Sequence, residues 1–173
     1  MTRRGPKKFM AQEQEQKVYD ALAGLGIAYA RREHPPVFTV DEAACHWVGI
    51  PGAHCKNLFL RNKKGNHHYL AVAECSKRVD LKALAKLFHD DRLSFASDER
   101  MMRYLGLQPG AVSPFGLLQD EKREVIVVLD EDLKTAEAVS FHPNVNTATL
   151  TIAYADLEKF LAWRGNPIRR IRL

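Results

Sequence analysis

The chain switches between two hydrophobic periods, and the switches mark out its elements. Between Ala11 and Leu25, apolar Val18, Leu22 and Leu25 recur at helical spacing among Gln, Glu and Lys, with Gly24 and Gly26 as the stop. The spacing predicts an amphipathic surface helix. Ile27 to Arg32 reads as a short strand, ended by His34-Pro35-Pro36 because neither proline can donate a ladder hydrogen bond. Thr39-Val40-Asp41-Glu42 is a capping box, in which the Thr hydroxyl and the Glu carboxylate satisfy the first free amides of a helix. That helix is expected to run to about Val48 and to stop at Gly49-Ile50-Pro51-Gly52.

The period then drops to two. Lys56 to Arg61 and His68 to Glu74 flank Asn62-Lys63-Lys64-Gly65-Asn66, a polar turn with glycine where positive φ is cheap, and together they predict a hairpin. Asp80 caps a helix through Phe88, with Leu81, Leu84, Ala85 and Phe88 on its inner face, and Ser97 caps another through Leu105. Leu93-Ser94-Phe95 between them reads as a short strand. Glu124 to Leu129 is a run of β-branched residues bounded by charge, as in a central strand; Val139 to His142 and Thr147 to Ala153 are further strands. A helix from Asp156 to Trp163 and an edge strand from Ile168 to Leu173 close the chain. This order of elements predicts an α+β, or mixed α/β, single domain with a largely antiparallel sheet flanked by helices.

Composition sharpens this picture. With 173 residues, 46% of them apolar, the chain buries one full core, so residues 10–173 are expected to form one domain behind a flexible basic arm, residues 1–9. No apolar run is long enough to span a bilayer, and Met-Thr-Arg-Arg-Gly-Pro-Lys-Lys lacks the apolar segment of a secretory signal. Cys45, Cys55 and Cys75 are odd in number and lack the close pairing of a disulfide framework, which suits a reducing compartment, so a cytoplasmic location and no membrane partner are expected. The net charge of +5 favours polyanionic partners, although much of it sits at the two ends, in Arg3, Arg4, Lys7 and Lys8 and in Arg164, Arg169, Arg170 and Arg172.

Three segments carry candidate chemistry. In His54-Cys55-Lys56-Asn57-Leu58-Phe59-Leu60, Leu58 and Leu60 point to one side of a strand and Phe59 to the other, with a cation and a carboxamide just ahead of them. A lysine that opens an apolar strand needs solvent or an anion in front of it. Gly110-Ala111-Val112-Ser113-Pro114-Phe115-Gly116 has glycines at both ends and a proline within, so its backbone amides can approach a ligand. Such a loop serves either as a plain turn or as an oxyanion cradle. Phe141-His142-Pro143-Asn144-Val145-Asn146-Thr147 ends a strand on a histidine, a place for acid/base chemistry or for a structural hydrogen bond.

Taken together, Lys-Asn-Leu-Phe-Leu at 56 to 60, the Gly-x-x-x-Pro-Phe-Gly loop and Phe-His-Pro at 141 to 143 resemble the YbaK/ProX family of aminoacyl-tRNA editing proteins. His34-Pro35-Pro36-Val37-Phe38 and Leu93-Ser94-Phe95 extend the likeness, which covers roughly residues 11 to 163. Within the family the chain is similar to the free-standing PrdX or ProXp-ala branch, related to the insertion domain of bacterial prolyl-tRNA synthetase. The resemblance implies a trans-acting hydrolase that cleaves the ester of a wrong amino acid, alanine first, on tRNA(Pro). It implies no cofactor, the acceptor end of mischarged tRNA(Pro) as partner, and prolyl-tRNA synthetase as a candidate second partner. A proline pocket excludes the smaller alanine poorly, which is why a second sieve is needed.

The resemblance also implies roles. Lys56 is the active-site lysine, holding phosphate or ribose of the terminal adenosine and ordering the attacking water, with Asn57 beside it on the substrate. The backbone of Gly110, Ala111, Val112, Ser113 and Pro114, in the loop that ends with Phe115 and Gly116, binds the aminoacyl carbonyl. His142 positions the aminoacyl group or water, supported by Asn146, and Val37, Phe38 and Phe115 set the pocket size. Two other classes stay open on the residues alone. One is a metal-dependent hydrolase, from Cys45-His46, His54-Cys55, His67-His68 and Cys75, although none of these has Cys-x-x-Cys or His-Glu-x-x-His spacing. The other is a module that binds tRNA or a synthetase without catalysis.

Overall fold

The computed structural model describes residues 6–44 and 46–173. Half of the basic ending at the N-terminus, Arg3 and Arg4, and also Cys45, lie outside the described residues. Helix α1 (Pro6–Gly24) starts five residues before Ala11, with a proline in its first turn, where a missing amide costs nothing, and takes in the second half of the stretch read as an arm. Val18 and Leu22 on it are fully buried. Strand β1 (Ala30–Glu33) begins later than expected, because Ile27 is drawn into the core and its amide closes the helix end on the Leu22 carbonyl at 2.9 Å.

Helix α2 (Val40–Ala44) forms behind the expected capping box: Thr39 Oγ1 accepts from the Glu42 amide at 3.2 Å, and the Glu42 carboxylate accepts from the amides of Phe38 and Thr39. It stops well short of Val48, for a tertiary reason. Arg32 Nη1 takes the Val48 carbonyl at 2.7 Å, and the Trp47 ring stacks on His54 at 4.5 Å, which turns the chain away.

The hairpin is as the alternation predicts, with β2 (Ala53–Asn62) longer at its start and β3 (His68–Glu74) where expected. Helix α3 (Leu81–Leu87) is capped by Asp80, and α4 (Asp98–Leu105) by Ser97, with strand β4 (Leu93–Phe95) between them. The chain continues through a 3₁₀ turn (Pro114–Leu118), β5 (Val125–Asp130), a second 3₁₀ turn (Glu131–Thr135), β6 (Ala138–Phe141), β7 (Ala148–Ala153), α5 (Tyr154–Arg164) and β8 (Ile168–Ile171).

Among the described residues the eight strands form one mixed sheet in the order β1-β7-β6-β2-β3-β5-β8, with β4 on the far end of β2. Four pairings are antiparallel (β1 with β7, β2 with β3, β2 with β4, β6 with β7), and three are parallel. The expected central strand is β5, flanked on both sides by parallel partners. The pleat sorts the core onto two faces. Phe59, Leu70, Val127 and Leu129 pack with Val18, Leu22, Leu105, Leu157 and Phe160 of α1, α4 and α5, whereas Leu60, Ala71 and Val128 pack with Leu84 and Ala85 of α3.

The arrangement of β2 positions the site. On the edge away from β3, its first two residues pair with β6 and its last three with β4. No strand pairs with residues 55–59 on that side among the described residues, so the sheet splits there and a cleft opens beside Lys56 and Asn57.

His68, at the other end of the hairpin, is 1% exposed and stacks on Tyr104 at 4.0 Å. Its Nε2 accepts from Arg100 Nη1 at 2.9 Å. Burial, then the charges of Arg100, Arg103 and Arg61, lower its pKa from 6.5 to about 4. The unfolded chain takes up this proton at the higher pH, so the contribution is complete above the ordinary histidine range. It is lost as pH falls towards 4, by up to about 1.4 kcal/mol per unit. Urea denaturation at pH 7 and pH 5 should therefore show a larger loss for the wild type than for His68→Gln. Equal losses would remove His68 as the source.

Candidate active site

The cleft at the split in the sheet has a volume of about 220 Å³. It is lined by Lys56, Asn57 and Leu58 of β2, by Gly110 and Val112, and by His142, just past β6, together with Val37, Phe38, Ala43 of α2 and Trp47. Three distant parts of the chain thus meet in one small space.

Lys56 is half-buried, and its ammonium donates to the main-chain carbonyl of Lys77. Glu74, close by, is not its hydrogen-bond partner. Burial pushes the Glu74 carboxyl up, but hydrogen bonds from Ser76 and Cys75 and the charge of Lys56 outweigh this and hold it below the usual range. The ammonium therefore stands beside an ionised carboxylate already engaged elsewhere. Asn57 presents a different signal. Its Oδ1 is buried without a hydrogen-bond partner among the described residues, a state that costs about 1–3 kcal/mol.

In the 110–116 loop the structure separates cleft from core. Gly110 has φ +85°, and it lies so close to Val37 and Phe38 that a Cβ would stand 3.3 Å from the Val37 carbonyl. The Ala111 amide is spent on Gln108 O, the Phe115 amide on Ser113 Oγ at 3.0 Å and the Gly116 amide on Ser113 O; Pro114 has none. Among the described residues this leaves the amides of Gly110, Val112 and Ser113 without an internal acceptor; Ser113 is fully buried, whereas Gly110 and Val112 line the cleft and are the two placed to bind a carbonyl oxygen.

The remaining loop residues differ from expectation. Ser113 and Pro114 are buried at the start of the 3₁₀ turn, and Ala111 faces a neighbouring cavity. Phe115 is fully buried with edge-on contacts to Phe141 and Phe160, and Gly116 packs on Leu105 and Leu107. Phe115 is a core residue and does not set the pocket size. Asn146 also stays outside the cleft lining, but its Nδ2 donates to the Val37 carbonyl at 3.1 Å and so holds one wall in place.

His142 Nδ1 lies 2.8 Å from the Ala148 carbonyl, which can only accept, so that nitrogen carries the proton. Burial lowers the pKa, the Ala148 bond partly opposes this, and the nearby His34 lowers it further. The ring is thus neutral at neutral pH, and Nε2 keeps a lone pair with no protein partner among the described residues. His34 packs at 5.6 Å from it and is itself fixed by Pro35 O and Thr149 Oγ1.

The histidines and cysteines that suggested a metal are dispersed: His68 accepts from Arg100, His54 stacks on Trp47, and Cys55 is buried in the core. Among the described residues no three His, Cys, Asp or Glu groups come together in a metal-binding arrangement. The C-terminal cations are partly engaged as well, Arg170 with Glu158 and Arg172 with Asp132. No described helix is long and apolar enough to cross a membrane. Sequence reasoning did not single out Trp47, Ala43 or Leu58 as lining residues, and none of them carries a local signal beyond being apolar.

The chain matches the family model of the aminoacyl-tRNA editing domain over residues 34–160. It is 43% identical over 164 residues to the prolyl-tRNA editing protein ProX of Acetoanaerobium sticklandii, an alignment that covers 95% of this chain and all of that one. The prolyl-tRNA synthetase associated domain-containing protein 1 of Bos taurus is 35% identical over 149 residues, 84% of this chain and 86% of the relative. A crystal structure described as a candidate trans-editing enzyme for prolyl-tRNA synthetase superposes with a TM-score of 0.66 at 23% identity, covering 92% of this chain and 97% of that one.

Proposed function

Given that the chain belongs to the aminoacyl-tRNA editing domain family, we propose that it acts in trans as a deacylase of mischarged tRNA(Pro), with alanyl-tRNA(Pro) as its main substrate. The observation that supports this most is that Lys56, Gly110, Val112 and His142, from three distant parts of the chain, line one cleft of about 220 Å³. That volume is below the 300–1,000 Å³ or so of common ligand pockets, and it suits a small aminoacyl group whose ribose and phosphate stay at the mouth.

Water attacks the ester carbonyl carbon, and the charge that grows on the carbonyl oxygen is met by the amides of Gly110 and Val112. Lys56 holds the ribose or phosphate side of the terminal adenosine. His142 Nε2 accepts a hydrogen bond from the attacking water or the amino group. The bond from carbonyl carbon to ribose oxygen then breaks, that oxygen takes up a proton with help from the neighbouring ribose hydroxyl, and free amino acid leaves. The partner is the acceptor end of mischarged tRNA(Pro); contact with prolyl-tRNA synthetase and a cytoplasmic setting belong to the same proposal.

Four preparations of tRNA(Pro), charged with alanine, cysteine, serine or proline, test it. Alanine should be released fastest and proline spared. Equal release of proline would overturn the specificity, and tight tRNA binding with no release of any amino acid would favour a binding module.

A further inference from the structure

The carbonyl that receives the Lys56 ammonium belongs to a residue that is itself firmly tied. Lys77 Nζ donates to Asp130 Oδ1 at 2.7 Å and to Asp132 Oδ2 at 2.6 Å, and Asp130 is fully buried. The same Asp130 oxygen accepts from the amides of Asp132 and Leu173, and Asp132 also holds Arg172. The short turn after β3 is thus pinned at one end by Glu74, which takes the Ser76 amide, and at the other by the Lys77 side chain.

We propose that Lys77 is the positioning residue of Lys56: its side chain, anchored on Asp130 and Asp132, fixes its own carbonyl, and that carbonyl holds the ammonium of Lys56, a cleft-lining residue, in one place. This rests on the reading of Lys56 as the active-site lysine. A carbonyl is suited to the task because it orients an ammonium without cancelling its charge, as a carboxylate would. One of the three N–H groups is committed, and two remain for substrate and water. Glu74, whose carboxylate interacts electrostatically with Lys56, is occupied by Ser76 and Cys75. The anchor also draws in Arg172 and Leu173.

The paired variant Lys77→Met/Asp130→Asn tests this, because it removes both charges together and leaves no unpaired carboxylate inside. With a freed ammonium, kcat for alanine release should fall by roughly ten- to a hundredfold, the size of effect that small misplacements produce, with KM changed less. Lys77→Arg should stay near the wild type. A purely structural role would leave the second readout unmoved: the rate of reductive methylation at Lys56, mapped by mass spectrometry against Lys122 in the same sample, should rise several-fold in the paired variant. If the pair folds poorly, Asp132→Asn, which loosens the anchor from its more exposed side, carries the same readouts with smaller changes. Wild-type kcat with unchanged Lys56 labelling in these variants would overturn the inference, while an active Lys56→Met would instead overturn the reading beneath it.

Discussion

Lys56→Met is expected to lower kcat/KM for release of alanine from alanyl-tRNA(Pro) by about 10²–10³-fold, the usual consequence of removing one preorganised charge or donor from a reaction centre. The fold should survive. Lys56 lies in the stretch of β2 that has a strand on one side only, it is half-buried at the cleft, and its ladder bonds to β3 are main-chain and independent of the side chain. The apolar residues that bind β2 into the molecule are Phe59 and Leu60, both buried. Methionine keeps an unbranched apolar stem and loses the charge together with its N–H donors. Lys56→Arg should rescue little, since a planar fork does not reproduce a point charge held by one carbonyl. Single-turnover deacylation and thermal denaturation on the same preparations check this. Unchanged turnover in Lys56→Met would remove the residue from the mechanism, and a large drop in melting temperature would recast it as structural.

The sequence exposes those features whose causes are local. The caps at Asp80 and Ser97, the hairpin turn at 62–66 and the two-residue period of β2 are written in neighbouring residues, and the structure has them in place. What the sequence conceals depends on partners far along the chain. Helix α2 ends early because of Arg32 and His54, and the parallel pairing of β5 with β3 and β8 arises from crossovers that no local pattern encodes. The site follows the same rule. Lys56, Gly110 and His142 stand out as chemistry out of place in apolar surroundings, and they line one cleft. Phe115 is ambiguous in sequence because an aromatic in a glycine loop can line a pocket or plug a core, and only its contacts with Phe141 and Phe160 decide. Lys77 looks like any surface lysine until Asp130 and Asp132, more than fifty positions on, close around it.

Gly110→Val should disable the enzyme for a reason that separates loop geometry from stability. At φ +85° a β-branched residue is badly strained, and its Cβ would stand 3.2 Å from Phe38 Cδ1 and 3.3 Å from the Val37 carbonyl. The loop can relieve this only by moving, which carries the amides of residues 110 and 112 away from the carbonyl they are proposed to bind. Displacement of about 1 Å can cost roughly a hundredfold in rate, so activity should fall by about that factor or more. Gly116 provides the contrast within the same loop. It has an ordinary φ but packs inside the core, where a Cβ would meet Leu107 Cδ1 at 2.8 Å, so Gly116→Ala should reduce melting temperature more than turnover per folded molecule. Deacylation rates normalised to the folded fraction distinguish the two. Full activity in Gly110→Val would mean that the loop is a turn and that the growing negative charge is met elsewhere.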